Sequence, residues 1–115
     1  AVPANKNLAV EDVVKLYESG VADPVQLARN NKTPIYILKK IAKLNDYNAN
    51  RWLSNNESIN DEISNILISY KQKSALNGLI YNNNVSISVL TLLTENEDIE
   101  ISEKAKEELN KRSSK

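Results

Sequence analysis

An Asn-rich corner followed by a spaced apolar stripe recurs along this chain, and no other feature restricts its fold as strongly. Asn30-Asn31-Lys32-Thr33-Pro34-Ile35-Tyr36-Ile37-Leu38-Lys39-Lys40-Ile41 overlays Asn55-Asn56-Glu57-Ser58-Ile59-Asn60-Asp61-Glu62-Ile63-Ser64-Asn65-Ile66 at an offset of 25 residues. A further 27 residues on lies Asn82-Asn83-Asn84-Val85-Ser86-Ile87-Ser88-Val89-Leu90, and 25 residues before Asn30 lies Asn5. The overlay gives apolar columns Val13, Leu38, Ile63, Leu90 and Leu16, Ile41, Ile66, Leu93. Val10, Ile35 and Ile87 form a third column, broken by Asn60. The longer last offset predicts a loop insertion before the fourth copy.

Apolar positions at i, i+3 and i+6 within each copy form a helical stripe, not the alternation of a strand. Thr33 before Pro34 reads as an N-cap followed by Pro at the first helical position. Ser58 with Asp61 reads as a capping box with Asp in place of Glu, and Ser86 takes the cap in the fourth copy. Shorter apolar pieces at Val25 to Arg29, Asn50 to Ser54 and Asn77 to Tyr81 end in the Asn corners. Neither helix of such a unit can bury its face alone, so neighbouring units must stack. The expected architecture is all-α: a short right-handed α-solenoid of about four repeats, each a long α-helix plus a short α or 3-10 helix. The repeats are expected at about 5–29, 30–54, 55–81 and 82–98 in a single domain spanning 1–115. Residues 99–115 are expected to be a C-terminal cap, with Ser102 capping a helix striped by Ile101, Ala105 and Leu109. Two Gly, three Pro and seventeen Asn agree, because Asn can cap helices and accept left-handed backbone angles where breakers are scarce.

The pattern of a short helix, an Asn-x-x-Thr-Pro corner and a helix with spaced Leu and Ile resembles the leucine-rich repeat variant family. Asp23-Pro24-Val25-Gln26-Leu27-Ala28-Arg29-Asn30-Asn31-Lys32-Thr33-Pro34-Ile35-Tyr36-Ile37-Leu38 carries the match, which extends in weaker form over residues 5–94. The resemblance implies a bacterial solenoid of alternating α and 3-10 helices with a scaffold role and no reaction. Some members carry an iron–sulfur cluster on added cysteines; this chain has no Cys, so that feature does not transfer.

The absence of Cys and His removes thiolate metal sites, disulfides and the commonest general base and metal ligand. Glu11/Asp12, Asp61/Glu62 and Glu107/Glu108 are neighbours that diverge by about 100° on a helix, so they do not converge on one atom. No Gly-rich phosphate loop or Ser elbow occurs, so the expectation is a protein that is not an enzyme and has no cofactor or metal. No apolar run reaches the length of a membrane span. Ala1 as first residue, with no Met in the chain, fits Met removal, a cleaved export signal or a trimmed chain, which leaves bacterial cytoplasm and an exported mature domain both open.

Fifteen basic and fifteen acidic residues cancel, yet they are segregated. Arg29, Lys32, Lys39, Lys40, Lys43 and Arg51 face one acid, Asp46, between residues 29 and 51; residues 95–108 hold seven acids against Lys104 and Lys106. The basic stretch reads either as a solvated helix face or as a patch for an acidic partner or phosphate, with Trp52 beside it. Trp52 shares a column with Leu27 and Leu79, which places it in the core. Tyr36, Tyr47, Tyr70 and Tyr81 fall in different columns. The triplets Asn31-Lys32-Thr33, Asn56-Glu57-Ser58 and Asn84-Val85-Ser86 match glycosylation acceptors, but their repeat spacing is explained by corners and caps. The leading expectation is a protein-interaction module or scaffold, an accessory component of a bacterial assembly, binding another protein through Tyr36, Lys39, Lys40, Lys43 and Arg51. The alternative is nucleic-acid binding through residues 29–51.

Overall fold

Five helix starts in this protein follow short polar side chains that accept from the orphan amides of the first turn. The computed structural model describes residues 10–20 and 23–113, within which there are eight α-helices and no strand. They are α1 (Val10–Ser19), α2 (Pro24–Arg29), α3 (Ile35–Lys43), α4 (Tyr47–Ser54), α5 (Asp61–Ser69), α6 (Lys73–Tyr81), α7 (Ile87–Leu93) and α8 (Ile99–Ser113). Asp23, Asp46, Asn60 and Ser86 cap α2, α4, α5 and α7 through their side chains. Asp98 accepts from the Glu100 and Ile101 amides at the head of α8.

Three expected caps do other work. The Thr33 hydroxyl is buried and donates back to the Leu27 carbonyl at 2.8 Å, while Pro34 stands at the N-cap of α3. Ser58 donates to the Asn31 carbonyl across the corner, leaving Asn60 to cap α5. Ser102 lies inside α8 and donates to the Thr94 carbonyl at 2.6 Å. In each case a nearby carbonyl that needed a donor claimed the hydroxyl. The expected contrast of long and short helices is also absent. Helices α2, α4 and α6 have 6, 8 and 9 residues against 9, 9 and 7 for α3, α5 and α7, and no 3-10 helix occurs among the described residues. Asp46 and Gln72 start α4 and α6 three or more residues earlier than the apolar pattern suggested.

Even-numbered helices contact one another in order, α2 with α4, α4 with α6 and α6 with α8, while α3 contacts α5 and α5 contacts α7. Between these two rows lies the core, which includes Leu27, Leu53 and Leu79 from one row and Ile41, Leu67 and Leu93 from the other. These residues recur at intervals of 26. The extents are 42 × 28 × 20 Å.

The 26-residue interval is set by asparagine side chains. Asn56 Nδ2 donates to the Ala28 carbonyl at 2.8 Å and to the Asn30 carbonyl at 3.3 Å. Asn82 Nδ2 repeats the arrangement on Ser54 and Asn56, both at 3.0 Å. The Oδ1 atoms of Asn30, Asn56 and Asn82 accept from the amides of Lys32, Ser58 and Asn84, closing three identical turns. A primary amide suits this place because it donates twice and still accepts, so one buried side chain satisfies three backbone groups. The offsets are therefore 26 and 26, not 25 and 27, and there is no insertion before Asn82. One ladder position further, Glu108 stands where an Asn would be needed; the Arg112 guanidinium instead donates to the Asn82 and Val85 carbonyls.

That register moves several side chains. Val13, Leu38, Ile63 and Leu90 are buried as expected, but Val10, Ile35 and Ile87 are exposed. The interior position equivalent to Ile41 and Leu93 is Leu67, with Ile66 only half-buried. Trp52 leaves the core column, which is Leu27, Leu53 and Leu79, and stands at the surface. Its counterpart 26 residues later is Gly78, where a Cβ would lie 2.0 Å from Ser54 Oγ. Ile101 and Ala105 of α8 are buried and Leu109 half-buried, as the stripe required. The first copy's Asn5 lies outside the described residues.

Candidate interaction surface

The basic stretch draws its side chains from helices of both rows. Tyr36, Lys39, Lys40 and Lys43 belong to α3, whereas Arg51 belongs to α4 and Arg29 ends α2. The five expected partner-binding residues are thus divided between two helices, four on α3 and one on α4.

On the α3 side Tyr36 is 50% exposed and Lys43 is exposed. Lys39 turns towards α5 and pairs with Glu62 at 2.6 Å, a solvated contact that contributes little stability. Lys40 turns the other way, its ammonium 5.8 Å from the Tyr17 ring centre of α1. The three lysines therefore do not converge.

The α2–α4–α6 side is different in composition. Tyr47, Trp52 and Tyr81 are all exposed there, with Trp52 at 39%. The Arg29 guanidinium stacks 4.6 Å from the Trp52 ring centre, joining α2 to α4 at the surface. Arg51 is exposed one position before Trp52. Next to this pair a polar groove of about 200 Å³ is lined by Arg29, Asn31, Asn55, Asn56 and Glu57. Asn31 Nδ2 donates to Glu57 Oε1 at 2.8 Å across it, and Asn55 Nδ2 donates to the Arg51 carbonyl at 2.9 Å. Sequence reasoning counted Arg29 as one cation among six and placed Trp52 in the core. The 26-residue spacing of Leu27, Leu53 and Leu79 was the signal that would have moved Trp52 outwards.

Other hollows lie among the described residues. An apolar one of about 210 Å³ lies among Tyr17, Pro24, Leu27 and Leu44. A larger one of about 580 Å³ is rimmed by Lys71, Lys73, Glu95, Glu97 and Asp98. Four of these charges are paired, Lys71 with Glu97 at 3.3 Å and Lys73 with Asp98 at 3.4 Å, and Lys73 also pairs with Glu100. No group of three His, Cys, Asp or Glu among the described residues is placed to hold a metal. No described helix is long and apolar enough to cross a membrane.

These pairs fix the titration of the α6–α8 contact. Hydrogen bonds to Glu100 and then Asp98 raise the Lys73 ammonium above its ordinary value, outweighing desolvation. The hydrogen bond from Lys73, followed by that from Lys104, lowers Glu100. Burial pushes Asp98 up, but the Ile101 amide, Lys73 and the Glu100 amide together outweigh it and leave the carboxyl low. A lowered carboxyl contributes stability above its unfolded pKa, and the contribution fades as pH falls through the folded value. A raised ammonium contributes below its unfolded pKa and loses the contribution as pH rises through the folded value. All three contributions are complete only between the acid range near 4 and the base range near 10, both approximate. Because these pairs are solvated, Lys73→Met should lower the thermal midpoint at pH 7 only slightly, by about two degrees or less, with the difference from wild type vanishing by about pH 2. A difference unchanged at low pH would show that Lys73 acts by packing.

Comparison with protein-family models, with curated proteins and with solved structures finds no match.

Proposed function

We propose that this chain is a non-enzymatic interaction module, a short α-solenoid of about four helical repeats that binds another protein. The observation that carries this reading is Trp52, a large aromatic left at the surface of a helix row with Arg29 of the neighbouring helix over its ring. Trp, Tyr and Arg are the residues over-represented among binding hot spots, and lysines are depleted there. The contact surface therefore centres on Arg29, Arg51, Trp52 and Tyr81, not on the α3 lysines. Units tied at a fixed interval by Asn56 and Asn82 also support an extended binding face built from successive helices. The resemblance to the leucine-rich repeat variant supports a scaffold role, while the helices here are all α where that family alternates with 3-10. A nucleic-acid role draws less support, since the cations of residues 29–51 are split between the two helix rows and Lys39 is engaged by Glu62.

The test is retention of a partner by the immobilised folded protein from an extract of its own source cells. Trp52→Ala should weaken retention of a specifically held protein by about thirtyfold, the scale of a 2 kcal/mol hot spot. Its thermal midpoint should move by no more than a few degrees, since the ring is partly solvated. Equal retention by wild type and Trp52→Ala would reject this surface.

A further inference from the structure

Resting on the protein-binding reading, the chemistry of the groove beside Trp52 narrows the kind of partner. We infer that the Arg29–Trp52 groove receives an acidic, extended peptide segment of the partner protein. The argument begins with charge. Arg29 lines the groove, Lys32 follows its Asn31 wall, and Arg51 lies one turn before its Asn55 wall. All three are exposed. Glu57 is the single acid in the lining, and Asn31 Nδ2 already occupies one of its oxygens. Three cations against one engaged carboxylate favour an anionic guest.

The rest of the lining suits a peptide backbone. The Asn55 carboxamide spends its Nδ2 on the Arg51 carbonyl and keeps its acceptor towards solvent. The carbonyl ends of α2 and α4 would ordinarily repel an anion. Here the Asn56 and Asn82 side chains donate to Ala28, Asn30, Ser54 and Asn56 at those ends, which blunts the repulsion. Arg29 lies over the Trp52 ring, a contact that uses none of its N–H groups and leaves them to pair a carboxylate. About 200 Å³ admits one or two side chains at a time, so an extended segment fits where a folded surface would not. The seven acids of residues 95–108 work against a long polyanion such as nucleic acid, whose attraction extends beyond the groove.

Trp52 is the sole tryptophan and, with Arg29 of the groove lining over its ring, reports on occupancy of the groove. The experiment titrates the full chain with three ten-residue peptides lacking aromatics, one Glu-rich, one Ser/Gly-rich and one Lys-rich, and with a ten-residue oligothymidylate, following Trp52 emission. The Glu-rich peptide should change the emission saturably, with weaker binding as salt rises. Arg29→Gln should weaken it about tenfold while keeping the reporter and the thermal midpoint. Light scattering alongside separates peptide capture from association of copies through their own acidic α8.

No response to the Glu-rich peptide, or a response that Arg29→Gln leaves intact, overturns the inference. A stronger response to oligothymidylate overturns it in favour of nucleic acid. A mass increase without added peptide overturns it in favour of a second copy. An equal response to the Ser/Gly-rich peptide overturns the acidic preference and leaves peptide binding at this face standing. If Trp52→Ala loses a natural partner while no peptide binds, the protein-binding reading survives and only the inference fails.

Discussion

Asn56→Ala is expected to destabilise the protein by about 3 kcal/mol and to lower its thermal midpoint by roughly 10–15 °C. The size follows from what a methyl group leaves behind. Two carbonyls, Ala28 and Asn30, lose their shared donor, and the Ser58 amide loses its acceptor. Asn56 is 4% exposed, so water does not replace these partners without opening the corner. Each buried group left unpaired costs on the order of 1–3 kcal/mol, and three are affected together. Neighbouring Asn55 is the built-in control. It is exposed and makes one bond, to the Arg51 carbonyl, so Asn55→Ala should cost less than about 1 kcal/mol. Urea unfolding of the two variants measures the contrast. Equal losses would mean that the pair of asparagines shares one role and that the 26-residue register is wrong.

Gly78→Ala should destabilise by about 2 kcal/mol, a sign opposite to the one helix propensity dictates. In an open helix this substitution stabilises by about 1 kcal/mol, because Ala loses less backbone freedom than Gly. Gly78 sits in α6 where that row presses on α4, however. A Cβ there would come within 2.0 Å of Ser54 Oγ and 2.8 Å of Ser54 Cβ. Ser54 is fully buried and donates to the Arg51 carbonyl, so its side chain has no space into which to swing. The helices must move apart, at a cost of about 1–3 kcal/mol or more for such overpacking. Since Ser54 Cβ is itself part of the clash, Ser54→Ala leaves it in place and Ser54→Gly removes it. The double variant Ser54→Gly/Gly78→Ala should recover at least half of the loss. A stabilised Gly78→Ala single variant would show that α4 and α6 do not approach this closely.

These contacts explain which parts of the fold were legible. The helical class was, because Ile35–Ile41 and Ile87–Leu93 can be read in no other period. The existence of the corners was too, because seventeen Asn in a chain with two Gly must serve some common purpose. What the residues could not settle was which Asn of each cluster turns inwards. Asn30, Asn56 and Asn82 do so, yet each has an Asn neighbour of the same type, Asn31, Asn55 and Asn83. Choosing the wrong member of the second pair shifted that copy by one residue. On a helix one residue is about 100°, enough to exchange a core position for a surface one. That shift puts Trp52 in the column that Leu53 occupies, and with Trp52 goes the best candidate for a binding site. Thr33 and Ser58 were misassigned for a related reason. A hydroxyl beside a helix start can cap it or bond backwards, and the choice depends on a carbonyl from another segment.

The site itself was only half visible. Charge segregation along the chain was correct as arithmetic, but adjacency in sequence is not adjacency on a surface. Lys39 and Lys40 follow each other, and they turn to Glu62 and Tyr17 on opposite flanks of α3. Arg29 and Trp52 are 23 residues apart and stack. Arg112 lies near the end of a charged helix, where solubility explains such residues well enough. Its bonds to Asn82 and Val85 become intelligible only once the ladder shows that two carbonyls were waiting there.

The ladder is the central claim, since the stacking of successive helices and the exposure of Trp52 both depend on its register. Hydrogen exchange of asparagine side-chain amides, resolved by NMR, tests it most directly. The Nδ2 protons of Asn56 and Asn82 should exchange only when the stack opens, orders of magnitude more slowly than those of Asn55 and Asn83. Similar rates for all four, or protection at Asn55 and Asn83 instead, would contradict it.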